Sequence, residues 1–130
     1  MICPLLASHQ IRKLIAEVHE NFSVPITCKL RVFEDMEKTV AYARMMEAAG
    51  AQMLTVHGRT REQKGALTGV ASWEHIKAVK EAVRVPVVAN GNIQVCFDLK
   101  RTILATFNSN FSAQPQTCGV VKVHGILLTD

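Results

Sequence analysis

The sequence ITCKLRV, residues 26–32, alternates apolar and polar side chains with a period of two. This alternation is typical of a strand with one buried face, because successive side chains of a strand point to opposite sides of its sheet. Pro25 precedes the run, where proline does not remove a hydrogen bond from the ladder. Lys29 and Arg31 lie two residues apart and therefore share the polar face. We expect a strand that carries two cations on one side.

Segments with helical periodicity lie on both sides of this strand. Apolar residues recur at helical spacing over residues 11–22. Asp35 is placed to cap a second helix that runs to Ala49, and Gly50 is the residue type that commonly follows a helix end. Ser72 opens a third helix with an apolar stripe. The sequence therefore predicts three helices.

Two further strands follow the second and third helices, at residues 53–57 and 86–91. Strands separated by helices are typical of a parallel sheet, because parallel neighbours need a long crossover connection. An open doubly wound sheet and a β/α barrel both satisfy this pattern. We favour the barrel, because no G-x-G-x-x-G follows any strand and each strand ends with one polar residue.

A complete barrel needs eight such units and about 250 residues, whereas this chain has 130 residues. We therefore expect an α/β fold, a partial TIM-type β/α barrel of three to four parallel units with an irregular C-terminal tail. Residues 1–94 are predicted to form the barrel segment, and residues 95–130 a divergent, weakly structured tail. Within that tail, the pattern allows a short helix over residues 99–107 and a strand within residues 118–129.

Polar residues stand near the carboxyl ends of the three predicted strands. Each has an ordinary explanation: Lys29 and Arg31 as cations at a sheet edge, His57 as a hydrogen-bonded core histidine, and Asn90 with Gly91 as a turn. Taken together, we expect Lys29, His57 and Asn90 to meet at one level of a barrel rim. There, a lysine, an imidazole and an amide offer hydrogen bonds to a flat heterocycle with polar edges.

The connection over residues 58–70 is rich in glycine and carries the cations Arg59, Arg61 and Lys64. We interpret it either as a solvated surface loop or as a contact with the phosphate backbone of a nucleic acid. The chain contains 15 Lys plus Arg and 11 Asp plus Glu, a formal net charge of +4. That charge is compatible with an RNA partner without requiring one.

The four cysteines form no C-x-x-C pair and show no metal-ligand spacing. We expect reduced thiols in a cytoplasmic or nuclear protein, and no metal site. The first ten residues lack the basic and apolar regions of a secretion signal, and no stretch approaches the roughly 18 apolar residues of a membrane helix. We expect neither secretion nor membrane insertion.

Three segments, in this order and separation, carry a resemblance to a known family: PITCKLR at residues 25–31, TVHGRT at 55–60 and VANGNI at 88–93. Together they resemble the tRNA-dihydrouridine synthases, flavoenzymes built on a β/α barrel. The continuation RTREQKG at 59–65 resembles the eukaryotic subgroup that acts on the D-loop of tRNA. The resemblance covers residues 11–94 and implies that NAD(P)H reduces bound FMN, which then reduces uridine in tRNA to dihydrouridine.

The resemblance also implies roles for single residues. Lys29, His57, Asn90 and Gly91 would contact FMN, and Arg31 would be a cation near the flavin and the substrate. Three further residues are candidate tRNA contacts on the basis of their charge alone. These loop cations are Arg59, Arg61 and Lys64.

The chain departs from the family pattern as well. The family's proton-donor cysteine lies well upstream of the Lys-x-Arg strand, whereas Cys3-Pro4 lies too close to Lys29 and runs directly into a helix. We therefore assign no catalytic residue. The phosphate-binding strand and the helical tRNA-binding domain of the family are not recognisable either. We expect a truncated synthase with little or no activity of its own.

Two alternatives remain open at this point. One is a non-catalytic half-barrel that self-associates through exposed sheet edges, which a strictly monomeric, cooperatively folded chain would contradict. The other is a basic RNA-binding fragment that uses the loop cations, which a tRNA affinity insensitive to salt would contradict.

Overall fold

The computed structural model describes residues 4–65, 68–91, 93–94, 122–123 and 126–128. The helices are α1 (Pro4–Asn21), α2 (Met36–Ala48) and α3 (Trp73–Ala82). The strands are β1 (Thr27–Arg31), β2 (Met53–His57), β3 (Val87–Asn90), β4 (Ile93–Gln94), β5 (Lys122–Val123) and β6 (Ile126–Leu128). Helices and strands alternate up to β3, as the sequence predicts.

The main sheet has the strand order β1-β2-β3-β6. β2 pairs in parallel with β1 on one side and with β3 on the other. α2 and α3 lie in the two crossovers that these parallel pairs require. The predicted α/β fold with three parallel strands is confirmed. β6 pairs with β3 in the antiparallel direction, and β4 and β5 form a separate antiparallel pair.

The core lies between the helices and one face of the sheet. Strand side chains alternate between buried and more exposed positions, so the apolar face predicted for β1 is confirmed. Full burial of a Val, Leu, Ile or Met side chain stabilises the fold by roughly 1.5–3 kcal/mol. Residues of the strands and of α2 and α3 that form this core are Leu30, Ala43, Met46, Leu54, Val56, Ile76, Val79, Val87 and Ala89.

α1 packs less completely than its apolar spacing predicts. It begins at Pro4, earlier than the periodic residues, because proline is favoured in a first helical turn. Ile15 is buried, but Leu14 and Phe22 are each 61% exposed. The helical spacing of apolar residues over 11–22 predicts one buried stripe, and that prediction is wrong for these two residues. Leu14 lies about 100° from Ile15 around the helix, and Phe22 follows the last helical residue.

Local side-chain bonds set the ends of the helices. As predicted, Asp35 caps α2, and its carboxylate accepts a hydrogen bond from the N–H of Glu37 at 2.9 Å. Ser72 caps α3 in the same way. After α2, Gly50 adopts a φ of +111°, and the ring of His19 packs against it so closely that a Cβ would lie 2.5 Å from the His19 Cγ. α1 therefore packs against the C-terminal end of α2 through His19.

Predictions for the C-terminal region are tested only in part. The short helix predicted over residues 99–107 lies outside the described residues. Within residues 118–129 the structure contains the two short strands β5 and β6, which pair with different partners. None of the helices in the described part of the chain is long and apolar enough to cross a membrane.

Candidate functional site

A row of polar residues stands at one level of the main sheet. The strand register pairs Arg31 with His57, and His57 with Asn90. All three lie on the face away from the core, because the preceding residue of each strand is buried among the core residues. They also lie at the carboxyl ends of parallel strands, where sites in β/α folds are assembled. We call Arg31, His57 and Asn90 the rim row.

Lys29 lies on the same face but one level below the rim row. Its register partner is Thr55, whose own partner in β3 is Val88. The expectation that Lys29 shares a level with His57 and Asn90 is therefore wrong, and Arg31 occupies that position. Alternation predicts the face of each residue, but its level depends on the register between strands, which alternation does not fix.

The electrostatic surroundings of His57 favour a neutral imidazole. Burial lowers the pKa of His57 below its usual 6.5, and the positive charges of Arg31, Arg59 and Lys29 lower this pKa further. The Nε2 atom of His57 is buried and has no hydrogen-bond partner among the described residues. An unsatisfied buried polar atom costs about 1–3 kcal/mol. A ligand that bonds to this nitrogen would remove that cost.

Gly91 allows the chain to turn tightly at the end of β3. Its φ is +139°, and a Cβ would lie 2.8 Å from the Cβ of Ala71. Beside it, the N–H of Gly58 donates to the carbonyl of Asn90 at 3.0 Å. The missing side chain at Gly91 therefore lets the start of α3 and the end of β2 approach the rim row.

The connection between β2 and α3 is folded back on itself. We call residues 58–70 the rim loop; the structure describes 58–65 and 68–70 of it. Arg59 is only 7% exposed, and its Nε donates to the carbonyl of Gly69 at 3.1 Å. The N–H of Thr60 donates to Oε1 of Gln63 at 2.8 Å. Side-chain bonds thus close both the neck of the rim loop and its first turn.

Arg31 connects the rim loop to β1. Its Nη1 donates to the carbonyl of Thr60 at 2.8 Å and to that of Gln63 at 3.4 Å. These contacts have no signature in the sequence, because the acceptors are backbone carbonyls that every residue has. The guanidinium predicted to lie near flavin and substrate is therefore also a structural link.

The three loop cations occupy different environments. Arg61 and Lys64 are exposed, whereas Arg59 is buried in the neck of the rim loop. Glu62, also exposed, lies between the two exposed cations. Hydrogen bonds from its own backbone N–H and from the Thr60 side chain lower the pKa of Glu62, and the nearby cations add to this effect. The outer edge of the rim loop therefore carries two positive charges and one negative charge.

An open groove of about 400 Å³ lies beside the rim loop. Its lining residues include Phe33, Gln63, Ser72 and His75. The Nδ1 of His75 is 2.8 Å from the Ser72 hydroxyl, and its Nε2 is buried without a partner in the described part of the chain. Sequence reasoning missed His75. The signal that could have found it is a histidine three residues after an N-cap serine.

The described residues offer neither a metal cluster nor a thiol at the rim row. These contain no cluster of three or more His, Cys, Asp or Glu side chains suited to a metal ion. Cys28 packs against the core on the opposite face of β1 from Lys29 and Arg31, and burial raises the pKa of its thiol. It therefore does not join the rim row.

Comparison with known proteins places this arrangement in a family. The family model described as dihydrouridine synthase (Dus) matches residues 3–108. A Mus musculus protein named tRNA-dihydrouridine(16/17) synthase (NAD(P)(+))-like is 59% identical over 96 residues, which cover 74% of this chain and 20% of the relative. The Saccharomyces cerevisiae tRNA-dihydrouridine(16/17) synthase (NAD(P)(+)) is 50% identical over 93 residues, which cover 70% of this chain and 22% of the relative. A probable tRNA-dihydrouridine synthase of Rickettsia bellii is 50% identical over 83 residues, which cover 62% of this chain and 25% of the relative.

The chain thus spans about a fifth to a quarter of the length of these relatives. The family match extends past residue 94, where the sequence resemblance ends. The resemblance itself is confirmed, including the similarity to eukaryotic members. The three parallel strands and their helices fit a partial TIM-type barrel. Because the family model matches most of its residues, the chain belongs to the dihydrouridine synthase family.

Proposed function

We propose that this chain provides part of the flavin and tRNA site of a tRNA-dihydrouridine synthase, an oxidoreductase that uses NAD(P)H to reduce uridine in tRNA. The observation that carries the proposal is the rim row, with its cation, its unpaired imidazole nitrogen and its amide at the carboxyl ends of three parallel strands. The names of the relatives support tRNA as substrate and NAD(P)H as reductant.

The residues of the site fit FMN. FMN supplies the hydride chemistry when it is bound, and the protein binds and orients the ring. His57 offers Nε2, which has no partner among the described residues. Asn90 offers an amide that both donates and accepts, and Lys29 offers an ammonium from the level below. Gly91 holds the end of β3 in the shape that keeps this amide at the rim.

The rim loop supplies the proposed contacts with tRNA. Arg61 and Lys64 are exposed, so their charges are open to phosphate groups. Arg59 instead holds the neck of the loop, and we assign it a structural role. Acting on tRNA, the protein is expected in the cytoplasm or the nucleus. Because Cys28, the one cysteine among the described residues, faces the core, these residues provide no cysteine as proton donor, and we expect the chain alone to show little or no turnover.

Flavin binding tests the proposal. FMN fluorescence is titrated with the purified chain, while circular dichroism reports helix content. We expect saturable quenching, and affinities at least about tenfold weaker for the variants Lys29→Ala, His57→Gln and Asn90→Ala. Lys13→Ala, which removes an exposed cation of α1, is the matched control and should bind as the unsubstituted chain does. A chain that keeps its helix signal yet does not bind FMN would contradict the proposed site.

A second candidate is an interaction module. Among the described residues, β1 is the terminal strand of the main sheet, and the exposed apolar residues Phe22 and Val24 lie in the connection that leads to it. Unpaired strand edges favour association with another sheet edge. Sedimentation across a range of protein concentrations distinguishes the candidates: reversible dimers that dissociate on Phe22→Ser substitution would favour the module, and a monomer at all concentrations would exclude it.

A further inference from the structure

Arg31 reaches from the end of β1 to the first turn of the rim loop. Its Nη1 is 2.8 Å from the carbonyl oxygen of Thr60 and 3.4 Å from that of Gln63. Among the described residues, the hydrogen bonds that join residues 60–69 to the chain outside the rim loop all come from this one atom. The position of the turn relative to the sheet therefore depends on Arg31.

The turn that Arg31 holds presents the exposed cations. Arg61 lies between the two acceptor residues, and Lys64 follows directly after them. The bond from the Thr60 N–H to Gln63 Oε1 closes the turn internally but does not attach it to the sheet. Fixing both ends of the turn to β1 thus fixes where Arg61 and Lys64 stand relative to the rim row.

This contact suits arginine better than lysine. The two N–H groups of one Nη1 diverge in a rigid plane and can serve two carbonyl oxygens from different residues. A lysine ammonium is a flexible point charge that does not hold a fixed geometry in the same way. Arg31 is also the register partner of His57, so the residue that anchors the loop stands in the rim row itself.

We propose that Arg31 is a positioning residue for RNA recognition, which holds the rim loop so that Arg61 and Lys64 contact the tRNA backbone beside the rim row. The proposal rests on the proposed function, because it takes tRNA to be the partner of the loop. It differs from the role that the family resemblance implies for Arg31, in which the guanidinium itself acts near the flavin and the substrate.

Two measurements test the proposal, and the first needs no RNA. Trypsin cleaves after Arg61 and Lys64, so the rate of native-state cleavage there reports how firmly the rim loop is held. We expect Arg31→Lys and Arg31→Gln both to accelerate this cleavage at least about tenfold. Lys29→Gln removes a charge from the same face of the same strand and should leave the rate unchanged. Unchanged cleavage in both Arg31 variants would overturn the proposal.

The second measurement is tRNA affinity as a function of salt. We expect Arg31→Lys and Arg31→Gln to weaken binding by a similar factor of about ten. Lys64→Gln should then weaken tRNA binding less in the Arg31→Gln background than in the unsubstituted chain. The reason is that the Arg31→Gln substitution has already removed the contact between Lys64 and the tRNA backbone. If Arg31→Lys keeps full affinity while Arg31→Gln lowers the salt slope by about one charge, Arg31 contacts phosphate directly, and the proposal is overturned.

The outcomes separate this proposal from the proposed function. If Arg31 variants bind tRNA normally and keep a protected rim loop, the proposal fails while the proposed function stands. Absence of tRNA binding by the unsubstituted chain would overturn the RNA part of both, even if trypsin shows that Arg31 holds the loop.

Discussion

Arg31 and His57 are direct register partners in the parallel pair of β1 and β2, so a fixed positive charge stands beside an imidazole at the rim. Burial is the larger cause of the lowered pKa of His57, and Arg31 is the first of the three cations that add to it. The neighbour that holds the rim loop therefore also helps to keep His57 neutral. A neutral imidazole has both a donor and an acceptor nitrogen for a ligand.

Replacing Arg31 by Gln is expected to raise the pKa of His57. Removal of a positive neighbour favours the protonated imidazole, while burial, Arg59 and Lys29 continue to hold the pKa below 6.5. The titration of the His57 ring protons by NMR measures this shift. Lys13→Gln, far from the rim, should leave the titration unchanged, and an unchanged or lower pKa in Arg31→Gln would contradict the prediction.

The stability of the chain is expected to fall as the solution is acidified below about pH 6.5. The pKa of His57 is lower in the folded chain than in the unfolded chain, which has the usual value of 6.5. The unfolded chain therefore binds more protons between these two values, so the stabilising effect is fully present above 6.5 and is lost as the pH falls through the folded pKa. Urea unfolding across this range measures it. His57→Gln should flatten this part of the profile; an equally steep profile would assign the loss to other groups.

Gly91→Ala is expected to destabilise the fold by about 3 kcal/mol, from backbone strain at its φ and overlap with the Ala71 Cβ. Gly65→Ala is the matched control, since its φ is also positive but no atom lies within 4 Å of the added Cβ. We expect it to cost only about 1 kcal/mol. Chemical denaturation measures both. Adding Ala71→Gly should restore part of the Gly91→Ala loss, and no restoration would exclude the overlap as its cause.

Asp35→Ala is expected to lower the free energy of unfolding by about 1 kcal/mol, because the N-cap acceptor of α2 is lost. Asp35→Asn should retain most of the stability, since asparagine caps helices almost as well. The neighbouring Glu34→Ala serves as the control for removing a carboxylate. If Asp35→Asn is as unstable as Asp35→Ala, the charge rather than the cap would be responsible. Thermal unfolding monitored by circular dichroism distinguishes these cases.

Local signals explain what the sequence could predict. The alternation around Lys29 fixes a strand and its two faces, and Asp35 and Ser72 mark helix starts through bonds to residues two or three positions away. Apart from His75, whose signal was local, the features that sequence reasoning missed depend on distant parts of the chain. The level of Lys29 depends on the register of β1 with β2. The link from Arg31 depends on carbonyls some thirty residues away.

The same reasoning applies to Arg59 and to β6. Composition alone makes Arg59 an exposed loop cation, and only the folded neck shows it buried against the Gly69 carbonyl. The apolar character of the C-terminal residues permits a strand, but it does not determine that β6 runs antiparallel to β3. Strand direction is a property of the pair, and a single strand sequence does not carry it.

The packing of His19 against Gly50 restricts which residue types position 50 can accept. At most helix ends, asparagine is a workable substitute for glycine, because it tolerates the left-handed conformation. Position 50 excludes that exchange twice over, since its φ of +111° lies beyond the region that asparagine favours and any Cβ would meet the His19 ring. The orientation of α1 on α2 thus requires that residue 50 has no Cβ atom. We therefore expect glycine to be the one residue type that this position accepts.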